Sequence, residues 1–196
     1  MLTRRALLPL AAVPFIGMSA LPGRALAAPT TISLGPDPSQ ALDVYERRGL
    51  KNAPVLLFVH GGGWSLGDKR LVNALPDYAE RHGFLLVSCN YRMAPLVDAG
   101  GCAEDVASAV FWLTENAARH GGDPKRIFVA GHSAGAHLAA LVAVDPRYLG
   151  QYGVTPADIA GVIPIDGAGY DAVSQMQYLG NRQGLLPTMY RNAFGD

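Results

Sequence analysis

Cysteine is scarce in this chain of 196 residues, which contains only Cys89 and Cys102. Two thiols are too few for a disulfide framework, although an exported protein could join them in a single bridge. Cys89 lies in an apolar run, where a cysteine is commonly a small buried side chain, so both interpretations stay open. The chain also lacks the C-x-x-C and H-x-x-x-H spacings of metal sites. We therefore expect no metal and no other cofactor.

Positive charge is also sparse. Residues 1–27 hold three of the 16 basic residues and none of the 16 acidic ones, which leaves 13 basic against 16 acidic residues and a net charge of −3. Without a basic stripe, the composition argues against a nucleic-acid partner. Hydrophobic residues make up 49% of the chain, and this proportion fits one compact domain with a buried sheet rather than a disordered chain.

Residues 1–27 have the pattern of a cleaved signal peptide. A basic head containing Arg4-Arg5 precedes an apolar run, and Ala25–Ala27 provides a small-residue cleavage site. The paired arginines favour the twin-arginine route, with a Sec signal as the alternative. Several prolines interrupt the apolar run, which argues against a transmembrane anchor. We therefore expect an exported protein, periplasmic or secreted, with no stable membrane anchor after cleavage.

Short apolar strands alternate with helical patterns in the rest of the chain. Continuous apolar runs are typical of strands covered on both faces, so the pattern predicts a mostly parallel sheet with helices on both faces. The predicted strands are 41–45 at a sheet edge, 54–59, 84–89, 126–129 and 159–165, and the predicted helices are 71–82, 104–120 and 134–144. From residue 167 the pattern fades. The sequence thus predicts an α/β domain over 28–196 that is missing its last strands.

One stretch has the spacing of a nucleophile elbow and reads Gly131-His132-Ser133-Ala134-Gly135. A predicted strand leads into it and an Ala-rich helix follows without a loop, so the serine would lie at the apex of a sharp turn. Small residues two positions away on either side would let the backbone cross itself. The amide of Ala134 would lie at a helix N-terminus, where it could donate to an oxyanion.

A second glycine-rich stretch follows the predicted strand 54–59 and consists of His60, Gly61, Gly62, Gly63 and Trp64. Consecutive glycines let backbone amides turn inward at the carboxyl edge of the sheet, where the serine also emerges. Two amides of this loop and one from the residue after the serine would form an oxyanion hole with three donors. Nucleotide binding is disfavoured, because Asp68 stands where a P-loop has lysine and the G-x-G-x-x-G spacing is missing.

Together these stretches resemble the α/β-hydrolase superfamily. Within it they resemble the HGGG-type carboxylesterases related to hormone-sensitive lipase and to bacterial feruloyl-esterase-like and kynurenine-formamidase-like enzymes. The matching segments are LDVY at 42–45, HGGGW at 60–64, NYRMAP at 90–95, the acidic pair at 104–105, GGDPKRIFVAGHSAG at 121–135 and the strand at 159–165. They cover most of the predicted mature chain in the family's order.

The resemblance implies a role for each residue of the two motifs. Ser133 is implied as the nucleophile, with oxyanion amides from Gly62, Gly63 and Ala134. The other motif residues would support the backbone, and they are His60, Gly61, Trp64, Gly131, His132 and Gly135. Arg92 and Asp105 are implied as a structural polar pair beneath the site. The loop 96–101 departs from the family's acidic, Pro-rich pattern, so acyl or alcohol preference does not carry over.

A histidine base is missing after the serine. The five histidines lie at positions 60, 82, 120, 132 and 137, whereas the family's order is serine, acid, histidine. A serine nucleophile needs a base within hydrogen-bond reach, and none of the five fills that role by its position. His137, one helical turn past Ser133, is expected to pack behind it. We therefore expect a C-terminally truncated chain with little turnover by itself, and a genuinely short, inactive homologue is the alternative.

Two classes of function stay open from the sequence. The first is a serine hydrolase that cleaves a small carboxylic ester through an acyl-enzyme, with an arylformamide or another amide as the alternative substrate. The second is a non-catalytic hydrolase-like module that binds a small apolar ligand. Both have a small molecule as partner, and the sequence does not indicate an oligomeric state.

Overall fold

The computed structural model describes residues 28–195. Its strands are β1 (Thr30–Ser33), β2 (Ala41–Tyr45), β3 (Ala53–Val59), β4 (Leu85–Cys89), β5 (Gly122–His132) and β6 (Ile159–Ile165). They form one sheet in the order β1-β2-β4-β3-β5-β6. β4, β3, β5 and β6 run parallel, while β2 pairs antiparallel with both β1 and β4. The predicted α/β class with a mostly parallel sheet is confirmed.

One edge of the sheet is a strand that the sequence pattern did not predict. β1 pairs with β2, so the predicted edge position of residues 41–45 is wrong. The pairing is supported by Asp43, which accepts a hydrogen bond from Thr31 Oγ1 at 2.6 Å and pairs with Lys69 Nζ at 2.8 Å. A buried carboxylate needs such partners. The polar composition of the segment around Thr31 hid the strand from the periodicity argument.

Helices cover both faces of the sheet, as predicted. They are α1 (Leu75–His82), α2 (Ala99–Asn116), α3 (Ala134–Val144), α4 (Pro146–Gly150), α5 (Ala172–Leu179) and α6 (Leu185–Phe194). α2 and α3 contribute to the larger hydrophobic cluster, whereas Ala79 of α1 packs in a smaller cluster with Leu56 and Leu86. Neighbouring residues of a strand alternate between the two clusters, so the clusters lie on opposite faces.

Two helices begin at residues other than the predicted ones. α1 begins at Leu75 rather than 71, because Pro76 is tolerated in the first turn of a helix but not in its interior. α2 begins at Ala99 rather than 104, because the Asp98 carboxylate accepts a hydrogen bond from the Gly101 amide at 2.8 Å and caps the helix. The segment after residue 167, which shows no clear sequence pattern, contains α5 and α6.

The predicted signal peptide, residues 1–27, lies outside the described residues. Its cleavage, the twin-arginine route and export therefore stay predictions. Between residues 28 and 195, no helix is both long enough and apolar enough to cross a membrane.

The two cysteines are both buried free thiols, so the bridge considered from the sequence is not formed. Burial raises the pKa of Cys89 and of Cys102 to about 12. Both thiols are therefore protonated at neutral pH and behave as small apolar side chains.

The predicted polar pair, Arg92 and Asp105, is formed. The buried Asp105 carboxylate accepts hydrogen bonds from the Arg92 amide and Nε, both at 2.8 Å, and from Arg92 Nη2 at 2.9 Å. Gln40 Nε2 donates a further bond at 2.8 Å. This carboxylate therefore joins α2 to the segment that follows β4 and to the segment that precedes β2.

We expect the substitution Asp105→Ala to lower the free energy of unfolding by about 3 kcal/mol, because it leaves the Arg92 guanidinium and the Gln40 amide without their common acceptor. Urea unfolding monitored by circular dichroism measures the change. Glu104→Ala is the matched control. The Glu104 side chain is 46% exposed and lies 3.6 Å from Arg92 Nη2, so its removal should cost less than about 0.5 kcal/mol. Equal losses in the two variants would contradict the structural role of Asp105.

Candidate active site

Two loops meet at the carboxyl edge of the parallel strands. β3 and β5 are neighbours whose last paired residues are Val59 and Gly131. The glycine-rich loop after β3 and the serine turn after β5 therefore leave the sheet side by side, at the edge where open α/β sheets bind ligands. A Cβ built on Gly61 would lie 2.7 Å from the carbonyl oxygen of His132 and 3.2 Å from the Cβ of Ser133. The two predicted halves of the site are in direct contact.

Ser133 forms the apex of the turn between β5 and α3. Its φ is +53° and its ψ is −118°, a strained left-handed conformation that is uncommon for a residue with a side chain. The Ser133 amide donates a hydrogen bond to the carbonyl of Ile165 at 2.9 Å, so the end of β6 holds the turn in place. Ser133 is half-buried, between an exposed His132 and a buried Ala134. The serine therefore keeps access to solvent at a rigid point of the backbone.

Gly131 and Gly135 are required by close backbone packing within the turn. A Cβ on Gly131 would fall well inside 3.0 Å of the Gly135 carbonyl group, because the chain crosses over itself at this point. A Cβ on Gly135 would lie 2.5 Å from the carbonyl oxygen of His60 and 2.8 Å from the carbonyl carbon of Val59. Backbone atoms cannot move aside as a flexible side chain can. The elbow is thus packed directly against the end of β3 and the start of the glycine-rich loop.

The glycine-rich loop contains a run of left-handed residues. The φ angles are +127° at Gly62, +58° at Gly63 and +57° at Trp64, and such values favour glycine at the first two positions. Among residues 28–195, no backbone hydrogen bond uses the amide of Gly62, Gly63 or Ala134 as its donor. Ala134 also lies at the N-terminus of α3, where the helix dipole favours negative charge. None of the three predicted oxyanion donors thus has a backbone acceptor in the described part of the chain.

His60 supports the loop from inside the protein. The residue is 1% exposed, its Nδ1 is 2.8 Å from the carbonyl oxygen of Gly61, and its ring stacks on Tyr91 with the centroids 4.4 Å apart. Burial lowers the pKa of His60, so the imidazole is neutral at pH 7. A Cβ on Gly67 would collide with this ring. The packing roles of Tyr91 and Gly67 were not predicted, because each depends on a contact across the fold.

The other histidines make contacts of their own. His120 Nδ1 is 2.5 Å from a Glu46 carboxylate oxygen, and His137 is buried behind the elbow, as predicted, where its Nδ1 accepts a hydrogen bond from Trp64. In the part of the chain that the structure describes, no histidine is hydrogen-bonded to Ser133. We therefore assign no general base among residues 28–195.

Asp166 is an acid whose position the sequence did not single out. It follows β6 directly, with a φ of +47° and an exposed side chain. Because β6 pairs with β5 in parallel, Asp166 lies at the same sheet edge as Ser133, one strand away. The only signal for this in the sequence is an acid at the end of an apolar run that Pro164 makes ambiguous as a strand.

An open groove of about 700 Å³ adjoins the two loops. At the loops, its walls are formed by Gly61, Gly62 and His132. Most of its remaining wall is apolar and includes Phe58, Leu66, Leu71, Val72, Tyr78 and Ile165. A cleft of this kind beside convergent polar groups is the usual form of a small-molecule site.

A strained serine between a parallel strand and a helix, beside a glycine-rich loop at the carboxyl edge of the sheet, defines an α/β-hydrolase fold. Residues 42–153 match the BD-FAE family, and the chain belongs to that family of α/β-hydrolases. The matched range contains both loops and the Arg92–Asp105 pair.

Several curated proteins are similar in sequence. The chain is 40% identical over 120 residues to esterase LipC of Mycobacterium tuberculosis, a match that covers 58% of this chain and 30% of LipC. It is 40% identical over 148 residues to esterase LipQ of the same organism, covering 71% of this chain and 35% of LipQ. The chain thus spans only about a third of the length of these relatives.

Solved esterases share the fold. An esterase from the archaeon Pyrobaculum calidifontis superposes with a TM-score of 0.64 at 29% identity, over 80% of this chain and 53% of that one. Esterase B from Lactobacillus rhamnosis gives a TM-score of 0.64 at 26% identity, over 85% of this chain and 55% of that one. Both comparisons agree with the α/β-hydrolase architecture of residues 28–195.

Proposed function

We propose that the whole protein is a serine hydrolase that cleaves a small carboxylic ester through an acyl-enzyme intermediate. The Ser133 hydroxyl would attack the carbonyl carbon of the ester, and the amides of Gly62, Gly63 and Ala134 would donate to the oxyanion that forms. Collapse of this intermediate would expel the alcohol, and water would then release the acid. The proposal is supported above all by one observation: the strained serine turn contacts a loop in which, among the described residues, the amides of Gly62 and Gly63 have no backbone acceptor.

Preorganisation is the physical reason to favour catalysis over simple ligand binding. The loop itself holds Gly62 and Gly63 in left-handed conformations, and the Gly62 carbonyl accepts hydrogen bonds from the amides of Ser65 and Leu66, so the amides of the two glycines need little reorganisation when charge develops. Donors held in this way stabilise a transition state more than they stabilise a ground-state carbonyl. A module that only bound an apolar ligand would have no need for a strained serine at this position.

The substrate class is supported by the relatives and by the groove. LipC and LipQ are named as esterases, which favours an ester over the formamide or amide alternatives. The groove beside Gly61 and Gly62 is open and largely apolar, so it suits a small acyl or alcohol group without charge.

The proposal concerns the whole protein, since no histidine among residues 28–195 is hydrogen-bonded to Ser133. Full activation of a serine requires a base that is itself held by an acid. Activity is therefore to be measured on the protein as it occurs naturally.

We expect the substitution Ser133→Ala to reduce kcat for hydrolysis of p-nitrophenyl acetate by the full-length protein by about 10⁴-fold or more, because it removes the nucleophile. Release of p-nitrophenolate measures the rate. Ser174→Ala, at an exposed position of α5, is the matched control and should leave kcat unchanged. Hydrolysis that survives in the Ser133→Ala variant would contradict the proposal. A wild-type protein that turns over neither esters nor aryl-formamides would favour the non-catalytic module instead.

A further inference from the structure

Trp64, the residue directly after the predicted oxyanion donors of the loop, is held by hydrogen bonds from both its backbone and its side chain. Trp64 follows Gly63, is 1% exposed, and has a carbonyl oxygen that accepts a hydrogen bond from the Ala94 amide at 2.8 Å. Its indole Nε1 donates to His137 Nδ1 at 3.3 Å. Backbone and side chain of Trp64 are thus held by two different parts of the protein.

His137 belongs to α3, the helix whose first residue provides the Ala134 amide. The Trp64–His137 hydrogen bond therefore connects the loop that carries two predicted oxyanion donors to the helix that carries the third. An imidazole that accepts at Nδ1 must carry its proton on Nε2. Burial lowers the pKa of His137 to about 4, so the ring is neutral at pH 7 and its Nδ1 lone pair is available.

Helix α6 packs around the same hydrogen bond. The Trp64 ring meets Tyr190 edge-on with the centroids 5.2 Å apart and Phe194 with the centroids 4.9 Å apart, and Phe194 also meets the His137 ring at 5.6 Å. Met189 is buried against Gly63, where a Cβ would collide with its side chain. The aromatic packing leaves little room for the indole to rotate and excludes water that would compete for its N–H.

We propose that His137 is a positioning residue that sets the orientation of the oxyanion loop through the Trp64 indole. This inference rests on the proposed function, in which the amides of Gly62 and Gly63 bind the oxyanion. His137 does not contact the substrate. Its Nδ1 fixes the Trp64 side chain, and the Trp64 backbone in turn fixes the direction in which the preceding amides point.

The test uses the full-length protein and compares His137→Phe, which keeps an aromatic ring but removes the acceptor, with His137→Asn, whose Oδ1 can take the place of Nδ1. We expect His137→Phe to lower kcat for p-nitrophenyl acetate by about 10- to 100-fold with little change in KM, because misplaced donors weaken the transition state rather than substrate binding. His137→Asn should recover most of the loss. Trp64→Phe should match His137→Phe, and the double variant should be no slower than the slower single variant.

A readout independent of catalysis is the indole N–H resonance in a ¹H–¹⁵N correlation spectrum. The Trp64→Phe variant assigns the Trp64 signal, because that signal is missing from its spectrum. We expect His137→Phe to shift the Trp64 signal and His137→Asn to restore it. An unmoved signal, or an unchanged kcat in His137→Phe, would overturn the inference while leaving the proposed function intact. Absence of Ser133-dependent turnover in the wild type would overturn both, whatever the spectrum shows.

Discussion

A full-length protein with alanine at position 62 should lose about 100- to 1000-fold in kcat, because one predicted oxyanion donor is displaced. Gly62 has a φ of +127°, and a Cβ at this position would fall well inside 3.0 Å of the Leu66 carbonyl oxygen. The loop can accommodate the methyl group only by rotating the peptide that carries the donor amide. Because that amide acts mainly in the transition state, KM should change much less than kcat. Steady-state hydrolysis of p-nitrophenyl acetate measures both constants.

Gly49→Ala separates the effect of the loop from the general cost of a left-handed alanine. Gly49 has a φ of +81° and no atom within 4 Å of its Cβ position, so alanine there should cost about 1 kcal/mol of stability and leave kcat unchanged. A Gly62→Ala protein that is folded by circular dichroism and hydrolyses the ester at the wild-type rate would show that this amide does not serve the reaction.

The second large effect is expected from Gly135→Ala, which should lower the free energy of unfolding by about 3 kcal/mol. The new methyl group would be 2.5 Å from the carbonyl oxygen of His60 and 2.8 Å from the carbonyl carbon of Val59. To relieve this clash, α3 would have to move away from the end of β3. That movement would open the contact between the elbow and the glycine-rich loop. Urea unfolding of the full-length variant measures the loss.

Gly150→Ala is the control for Gly135→Ala. Gly150 ends the short helix α4, and nothing lies within 4 Å of its Cβ position, so alanine should be neutral or slightly stabilising there. A Gly135→Ala protein as stable as Gly150→Ala would mean that the elbow is not packed against β3 in the way described above.

The sequence predicted the two loops because their glycines are demanded by local backbone geometry. Gly131 and Gly135 flank the serine at the spacing that a crossing backbone needs, and Gly62 and Gly63 adopt left-handed conformations. These requirements concern residues that are close together in the sequence, so the sequence alone can reveal them. The sequence also predicted both loops at the carboxyl edge of the sheet, since each loop follows a buried strand. That these two strands are neighbours is shown by the structure.

Features that depend on distant contacts could not be predicted in the same way. β1 is held by the hydrogen bond from Thr31 to Asp43. The glycine-rich loop is held by the hydrogen bond from Trp64 to His137, two residues that are far apart in the chain. Helix α6, which packs on Trp64, follows a stretch of residues 167–184 in which several Gly and Gln residues obscure the pattern. His137 was expected behind the elbow, but its hydrogen-bond partner required the three-dimensional fold.

We propose above all that Ser133 is the nucleophile of the whole protein. The most direct test is to treat the full-length protein with a fluorophosphonate, which phosphonylates an activated serine, and to locate the adduct by peptide mass spectrometry. We expect one adduct, on the peptide that contains Ser133, and none at this position in the Ser133→Ala variant. An ester-hydrolysing protein that carries the adduct on a different residue, or none at all, would contradict it.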